Sequence, residues 1–285
     1  RHSNILKLGP KWVEKAEGMM PELHQPLRQR IPVLTPARGE KRGKVAFFLG
    51  CVMTLMYAEV SRQTVRVLSH QGYDVLTPKA QKCCGAPHLT EGDRKTTRQL
   101  ASHNLDLFME LDVDAIVTDC AGCGSALKEY EELLEERREH AKLEKFRSLI
   151  KDVSEFLVEQ GIRSDGLRPL NKSVTYHDTC HLCHAQGISQ PHRELIKAIP
   201  GIEFREMNES SWCCGSAATF SRKFTEESQK ILDRKLTNVS ATEADYLITA
   251  NPGCHLQLAW GLHEAKMPQP VLHVMELFGM AIPEH

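Results

Sequence analysis

Ten cysteines are the residues of this chain best suited to chemistry. Four of them form two adjacent pairs, Cys83-Cys84 and Cys213-Cys214. In a chain with no sign of secretion, so many thiols are more often metal ligands or catalytic groups than disulfide partners. Adjacent pairs suit shared metal ligation better than separate bridges, although the even number of cysteines leaves a disulfide framework formally open.

The cysteines recur in the same order in the two halves of the chain. Cys51 ends the apolar run KVAFFLGC, and Cys180 ends SVTYHDTC 129 positions later. The two Cys-Cys-Gly motifs lie 130 positions apart, and DAIVTDCAGC and DYLITANPGC end 131 positions apart, at Cys123 and Cys254. This match in order and spacing indicates an internal duplication.

Four cysteine positions occur in both halves, and two more are unique to one half. The first half adds Cys120 where the second has Asn251, and the second adds Cys183 where the first has Thr54. Cys183 is an additional candidate ligand, and packing as a small hydrophobic residue accounts for it equally well. The predicted metal ligands are Cys51, Cys83, Cys84, Cys120, Cys123, Cys180, Cys213, Cys214 and Cys254.

Alternating strand-like and helix-like segments carry these cysteines. Short apolar runs predict strands at 45–49, 74–76, 115–118, 173–177, 202–205 and 246–250. Helical periodicity predicts helices at 54–71, 93–111, 124–147, 191–199, 222–238 and 255–265. Similar segments, 152–162 and 273–282, close the two halves. The alternation predicts an α/β fold of two pseudo-symmetric, Rossmann-like modules with parallel sheets.

Most of the cysteines come shortly after a predicted strand. In open α/β sheets, the loops beyond the carboxyl ends of the strands form the binding crevice, so we expect the metal sites there. We expect a linker arm at 1–42, a first cysteine-rich module at 43–170 and a second at 171–285. The arm lacks the apolar segment of a signal peptide, and its start at Arg1 rather than Met indicates a fragment of a longer protein.

Four thiolates in each module are compatible with structural zinc or with an iron–sulfur cluster. Zinc sites usually take two ligands from one Cys-x-x-Cys turn, a form seen only at 120–123 and 180–183. Adjacent cysteine side chains diverge, so they reach two irons of a cluster more easily than one small ion. The sequence favours iron–sulfur clusters. Residues 180–184 also match the c-type haem motif Cys-x-x-Cys-His, but the duplication already accounts for Cys180.

Several longer strings resemble a known family. The spacing of the five cysteines between 51 and 123 is similar to that of the cysteine-rich CCG module of heterodisulfide reductases. Over residues 43–285, the chain also resembles the glycolate oxidase iron–sulfur subunit family. The strings that carry this second resemblance are FFLGCVMTLMYAEV, TDCAGCGSALKEY, YHDTCHLCHAQGI, WCCGSAATFS and NPGCHLQL.

The resemblance implies 4Fe–4S clusters and electron transfer. It implies a noncubane cluster for the five cysteines of the first module. The second module, with Asn251, would hold an ordinary four-cysteine cluster or one to which Cys183 contributes. The family usually also has an N-terminal ferredoxin-type domain, whose cysteine runs do not occur in this sequence. The implied partners are an FAD-containing subunit that oxidises glycolate to glyoxylate and a quinone or other acceptor.

Charge and hydropathy exclude other classes of function. The 36 Lys and Arg residues nearly balance 37 Asp and Glu residues, which gives no indication of a nucleic-acid partner. No apolar run approaches the roughly 18–20 residues of a membrane-spanning helix. We expect a cytoplasmic protein, with peripheral contact to the inner face of the membrane as a variant. Two rival functions stay open: a catalytic reductase like heterodisulfide reductase, and a zinc-stabilised interaction scaffold.

Overall fold

The computed structural model describes residues 31–134, 140–217 and 219–283. The first thirty residues of the expected linker arm, and residues 135–139 of one expected helix, lie outside these ranges. Within them, two β-sheets and the helices that connect their strands form an α/β fold. The predicted fold class, with two strand–helix modules, is confirmed.

The first sheet has five strands. They are β1 Leu34–Thr35, β2 Gly43–Phe48, β3 Tyr73–Leu76, β4 Ala115–Thr118 and β5 Ile150–Asp152. Their order across the sheet is β1-β3-β2-β4-β5, and every pairing is parallel except that of β1 with β3. The edge strand β1 therefore comes from the part of the expected linker arm that the structure describes.

The second sheet repeats this order with four strands. They are β6 Lys172–Tyr176, β7 Ile202–Phe204, β8 Tyr246–Thr249 and β9 Val271–His273. The order β7-β6-β8-β9 corresponds to β3-β2-β4-β5, and all pairings are parallel. The central strands β2 and β6 are almost completely buried where they approach the cysteines, as the apolar runs predict.

Helices join the strands and cover the sheets. In the first half they are α1 Cys51–Met56, α2 Ala58–His70, α3 Ala86–Thr90, α4 Arg94–Met109, α5 Ala121–Lys128, α6 Tyr130–Leu134, α7 His140–Leu149 and α8 Val153–Glu159. In the second half they are α9 Cys180–Cys183, α10 Gln190–Lys197, α11 Phe220–Lys223, α12 Thr225–Ser240, α13 Pro252–Glu264 and α14 Val274–Ala281. None of these helices in the described part of the chain is long and apolar enough to cross a membrane.

The prediction of one continuous helix at 124–147 is wrong. Helix α5 ends at Lys128, and α6 begins at Tyr130 after a change of backbone direction at Glu129. The break lets the hydroxyl of the buried Tyr130 donate a hydrogen bond to the carbonyl oxygen of Cys84, 2.9 Å away. The helices predicted at 54–71 and 222–238 are likewise interrupted, at Tyr57 and Phe224.

The two halves exchange their closing helices. Helix α8 of the first half packs on α10 of the second, and α14 of the second half packs on α2 of the first. Both closing helices begin with a capping box, formed by Asp152 with Glu155 and by His273 with Glu276. Because of this exchange, the larger hydrophobic core contains residues from both halves.

Candidate metal centres

The first centre collects five cysteines at the carboxyl ends of its strands. Cys51 begins α1, the pair Cys83-Cys84 lies in the loop after β3, and Cys120 and Cys123 lie at the start of α5. The Sγ atoms of Cys51 and Cys83 are 3.5 Å apart. Cys84 is within hydrogen-bonding reach of Cys83 and Cys123, and Cys120 of Cys123. The structure therefore brings all five predicted ligands into one contact chain.

The backbone around these thiols leaves room for an inorganic group. A side chain at Gly50 would place its Cβ 3.2 Å from Cys123 Sγ, so glycine keeps that space open. Gly85 adopts φ +93°, a conformation that favours glycine, and its N–H points at Cys83 Sγ over 3.5 Å. The Cys123 N–H likewise points at Cys120 Sγ, at 3.4 Å. Amides that point at sulfur stabilise thiolates.

Two buried polar side chains fix the loop that carries Cys83 and Cys84. Asn104 of α4 accepts a hydrogen bond from the Lys82 amide at 2.9 Å and donates one to the Cys83 carbonyl at 3.1 Å. Tyr130 donates to the Cys84 carbonyl and also contacts the Asn104 amide. These residues satisfy backbone groups that would otherwise be buried without partners. Neither residue is predicted from the sequence.

The second centre repeats the first with four cysteines. Cys180 begins α9, Cys213 and Cys214 lie in the loop after β7, and Cys254 lies in the first turn of α13. Contacts within hydrogen-bonding reach join Cys180 to Cys213, Cys213 to Cys214 and Cys214 to Cys254. The Asn251 side-chain amide, at the position of Cys120, points at Cys254 Sγ from 3.6 Å.

A buried lysine supports the second centre where the first uses an asparagine. Lys235 is the eleventh residue of α12, as Asn104 is of α4. Its ammonium group donates to the carbonyl oxygens of Glu209 and Ser210, at 2.7 and 3.1 Å, just before the Cys213-Cys214 pair. Burial lowers the pKa of Lys235 to about 8. The side chain therefore carries a positive charge at pH 7 in most molecules.

His177 is a candidate functional residue that the sequence analysis missed. It is 1% exposed, and one of its ring nitrogens and the thiols of Cys214 and Cys254 all lie within 4.8 Å of one another. The Cys254 thiol is within hydrogen-bonding reach of this imidazole, and neither ring nitrogen bonds to a nitrogen or oxygen atom of the described residues. The duplication was the available signal, because His177 stands three residues before Cys180, as Phe48 does before Cys51.

Cys183 has no counterpart among the cysteines of the first module. It is half-buried at the end of α9. Its pKa is raised first by burial and then by the charge of Asp178, and the Cys254 thiol also contributes. No hydrogen bond joins it to another cysteine in the described part of the chain.

The contacts between thiols oppose their simultaneous ionisation. The hydrogen bond between Cys51 and Cys83 lowers the pKa of Cys83 to about 2 and raises the pKa of Cys51 above its usual value. Cys180 and Cys213 show the same pair of opposite shifts for the same reason. Several touching thiols become thiolates together only when positive charge lies among them. The donor sets therefore fit a metal-containing group.

A cavity of about 470 Å³ borders the second centre, between the two modules. Its lining includes Cys213 and Cys254 on one side and the apolar residues Val52 and Pro87 of the first module on the other. The cavity supplies space beside the thiols, and its first-module wall is largely apolar. A low-polarity surrounding of this kind is one means by which proteins set the potential of a cluster.

Comparison with known proteins gives a family match in both halves. The model of the cysteine-rich CCG domain matches residues 45–128 and 174–259. The chain is 37% identical over 283 residues to the "Probable glycolate oxidase iron-sulfur subunit" of Bacillus subtilis, which covers 97% of this chain and 64% of that protein. It is 30% identical over 237 residues to lactate utilization protein A of Halalkalibacterium halodurans, covering 82% of this chain and 96% of that protein.

A third relative comes from Methanothermobacter marburgensis. The chain is 31% identical over 239 residues to a subunit of the CoM/CoB fumarate reductase of that organism, which covers 84% of this chain and 46% of that protein. The chain thus spans less than two thirds of the Bacillus and Methanothermobacter relatives. The names of these relatives support an iron–sulfur, oxidoreductase-related role and leave the cluster type and the reaction open.

Proposed function

The chain belongs to the family of the cysteine-rich CCG domain, and we propose that it is the iron–sulfur electron-transfer part of a complex that oxidises glycolate. The observation that carries this proposal is the convergence of two sets of touching thiols at the strand ends of two equivalent sheets. The Bacillus relative, named an iron–sulfur subunit of glycolate oxidase, supports the choice of cluster and substrate.

Each module would hold one 4Fe–4S cluster. In the first module, five cysteines would hold a noncubane cluster, as their number allows: Cys51, Cys83, Cys84, Cys120 and Cys123. In the second module, four cysteines suffice for an ordinary cluster: Cys180, Cys213, Cys214 and Cys254. A bound cluster supplies one-electron redox chemistry. The residues of the chain hold it, shield it from water and set its potential through hydrogen bonds to sulfur and nearby charges.

The organic chemistry would take place on a partner. An FAD-containing subunit would oxidise glycolate to glyoxylate and pass the two electrons singly to the modules. From there they would move to a ferredoxin-type domain and then to a quinone or another acceptor. We place the complex in the cytoplasm, with peripheral contact to the inner face of the membrane as a variant of this proposal. The modules are then proposed domains at 43–170 and 171–285, with 1–42 as the connecting arm.

An anaerobic reduction experiment tests this proposal. The chain is purified without oxygen together with its flavoprotein partner, and glycolate is added while cluster absorption and EPR spectra are recorded. We expect reduction of both clusters by glycolate, and no cluster reduction when the partner is omitted. Intact clusters that glycolate and partner together fail to reduce would contradict the glycolate proposal. Reduction by lactate instead would move the proposal to that 2-hydroxy acid.

A second candidate function is catalytic, like that of heterodisulfide reductase. The cavity beside Cys213 and Cys254 favours it, because a small molecule that enters the cavity would reach the second centre. The similarity to a subunit of a fumarate reductase with CoM/CoB in its name also supports a catalytic function. Turnover of disulfides by the isolated chain with a reduced dye, abolished in Cys213→Ser, would favour catalysis over relay.

The zinc-stabilised scaffold differs from both redox functions in its metal content. Zinc bound at about 2.3 Å in a tetrahedron holds its thiolates slightly under 4 Å apart, which is compatible with the separation of Cys51 and Cys83. Stoichiometric zinc without iron or acid-labile sulfide, in protein purified anaerobically, would establish the scaffold and exclude both redox proposals.

A further inference from the structure

The two centres contain different numbers of thiols at equivalent positions. The first has Cys120 where the second has Asn251, whose amide cannot replace a thiolate ligand. The reverse difference occurs on the central strands, where Phe48 of the first half corresponds to His177 of the second. One donor residue is absent from the second centre and another has been added. Each centre thus has five donor residues.

His177 is held in position by its backbone. Its amide donates to the carbonyl oxygen of Ile248 at 2.9 Å, which continues the pairing of β6 with β8 by one residue. The side chain therefore leaves the rigid centre of the sheet directly at the strand end, where the thiols of Cys214 and Cys254 lie. The imidazole thus faces two of the four cysteines of this centre.

The burial of His177 leaves part of its hydrogen-bonding capacity unused. At 1% exposure, neither ring nitrogen has a nitrogen or oxygen partner among the described residues, and the thiol within hydrogen-bonding reach is that of Cys254. A buried ring nitrogen that lacks a hydrogen bond destabilises the protein. An electron-pair acceptor among the thiols removes this penalty for one nitrogen, because imidazole nitrogen is a good ligand for iron.

We propose that His177 is a ligand of the second cluster, bound to one iron through a ring nitrogen. The first centre then holds its cluster with five thiolates, and the second with four thiolates and one imidazole. The second cluster would then be a five-ligand, noncubane cluster like the first, in place of the ordinary four-cysteine cluster. This inference rests on the proposed iron–sulfur content of the second module. Imidazole is neutral where thiolate is negative, and histidine in place of cysteine raises the potential of a cluster. We therefore expect the second cluster to be reduced at a higher potential than the first.

Nitrogen hyperfine spectroscopy tests the ligand directly. The protein is prepared anaerobically as Cys84→Ser, so that the signal of the second cluster is recorded without the first, and its histidines are labelled with ¹⁵N. We expect the strong coupling of an iron-bound nitrogen, which changes with the isotope and is lost in His177→Phe. This substitution introduces the residue that the first centre has at the same position.

His192→Phe is the matched control. His192 is also fully buried, but its ring stacks on Tyr176 and its Nε2 lies 3.2 Å from Asp152. We expect the nitrogen coupling to survive in this variant. A coupling unchanged in His177→Phe, or one so weak that only a hydrogen bond accounts for it, would overturn the proposal. Iron and sulfide are measured before spectroscopy. Protein that contains iron but shows no His177 coupling would contradict only the ligand proposal, whereas protein without iron would contradict the proposed function.

His177→Cys is a second variant that tests the same proposal if His177→Phe does not fold. A thiolate at this position would give the second cluster a negatively charged fifth ligand, so that it has five thiolates like the first cluster. We expect retained iron, no nitrogen coupling and a lower potential for the second cluster than in the parent protein. A potential equal to that of the parent, with iron retained, would show that residue 177 does not bind the cluster.

Discussion

Around the first centre, Phe48 comes before the leading cysteine and Asn104 holds the loop of the adjacent pair. Around the second, the same positions carry His177 and Lys235. The strands, the glycines and the cysteine contacts are repeated, but the charge next to the thiols is not. The two halves share the strands and loops that position the cysteines, but they differ in the polar side chains beside the thiols, which influence the reduction potential of a cluster. We therefore expect two clusters of unequal potential, with the electron resting on the second.

The largest expected effect is the loss of one cluster at a time. Cys84→Ser removes a buried ligand from the first centre, and Cys214→Ser removes the equivalent ligand from the second. Each variant should lose one EPR signal and about half of the iron, since the two donor sets share no residue. Hydrogen exchange should show faster opening of the affected half only, because cluster binding contributes to folding. Loss of both EPR signals from either substitution would contradict the claim that the two centres bind their clusters independently.

A smaller effect, on potential, is expected from an exchange of the two loop-holding residues. Lys235→Asn removes a buried positive charge from the second centre, and Asn104→Lys adds one to the first. We expect the second potential to fall and the first to rise, each on the order of 50 mV. Potentiometric EPR titration measures both. Potentials that stay fixed in both variants would show that these residues serve only to hold their loops.

The caps of the two closing helices should respond differently to pH. Burial lowers the pKa of His273 to about 3, and its Nδ1 accepts from the Met275 amide, so the neutral ring is the capping form. In the unfolded chain His273 takes up a proton with a pKa near 6.5, whereas in the folded chain it stays neutral at that pH. Stability from this group is therefore complete above pH 6.5 and falls as the pH drops toward 3.

Between pH 8 and pH 5, His273 should account for a loss of about 2 kcal/mol in the free energy of unfolding. Urea denaturation at the two pH values measures this loss. His273→Asn keeps a neutral cap that does not titrate, and we expect it to remove most of the difference. Asp152, the cap of α8, has a lowered pKa, through His192 among other groups, so its contribution is lost only at more acidic pH. An equal pH response in His273→Asn would assign the effect to other groups.

The smallest effect concerns the contact between the halves. Arg66 of α2 donates to the carbonyl oxygens of Gly279, Ile282 and Pro283 at the end of α14, at 3.0–3.2 Å. Arg66→Met should lower the free energy of unfolding by about 1–2 kcal/mol, because these carbonyls lose partners. Arg62→Met is the control and should change it by less than about 0.5 kcal/mol, since Arg62 makes an exposed ion pair with Glu59. Equal effects would argue against tight packing of α14 on the first half.

The sequence predicted the main strands because buried parallel strands are short continuous apolar runs. The run at 115–118 coincides with β4, and the other five predicted strands match within one or two residues. Strands β1, β5 and β9 have two or three residues each, which is too short for a periodicity to show. The interruption at Glu129 was missed because its cause is tertiary: Tyr130 bonds to a carbonyl 46 positions earlier in the chain.

The cysteine sets were predictable because metal ligands have few alternatives, and the duplication aligned them. Asn104, Lys235 and His177 were not predicted, because a single polar residue has no distinctive pattern of its own in the sequence. Comparison of the two halves position by position identifies His177, since a histidine replaces a phenylalanine beside a repeated contact between thiols. The side chain's burial and its position beside two thiols become visible only in the structure.

The central claim is that each half gathers its cysteines around its own iron–sulfur cluster. Iron and acid-labile sulfide counted per chain in anaerobically purified protein, with Mössbauer spectra of the same sample, test it most directly. We predict about eight irons and two distinct sets of spectra, one that disappears in Cys84→Ser and one that disappears in Cys214→Ser. Protein with stoichiometric zinc, or with a single iron environment lost equally in both variants, would contradict the account.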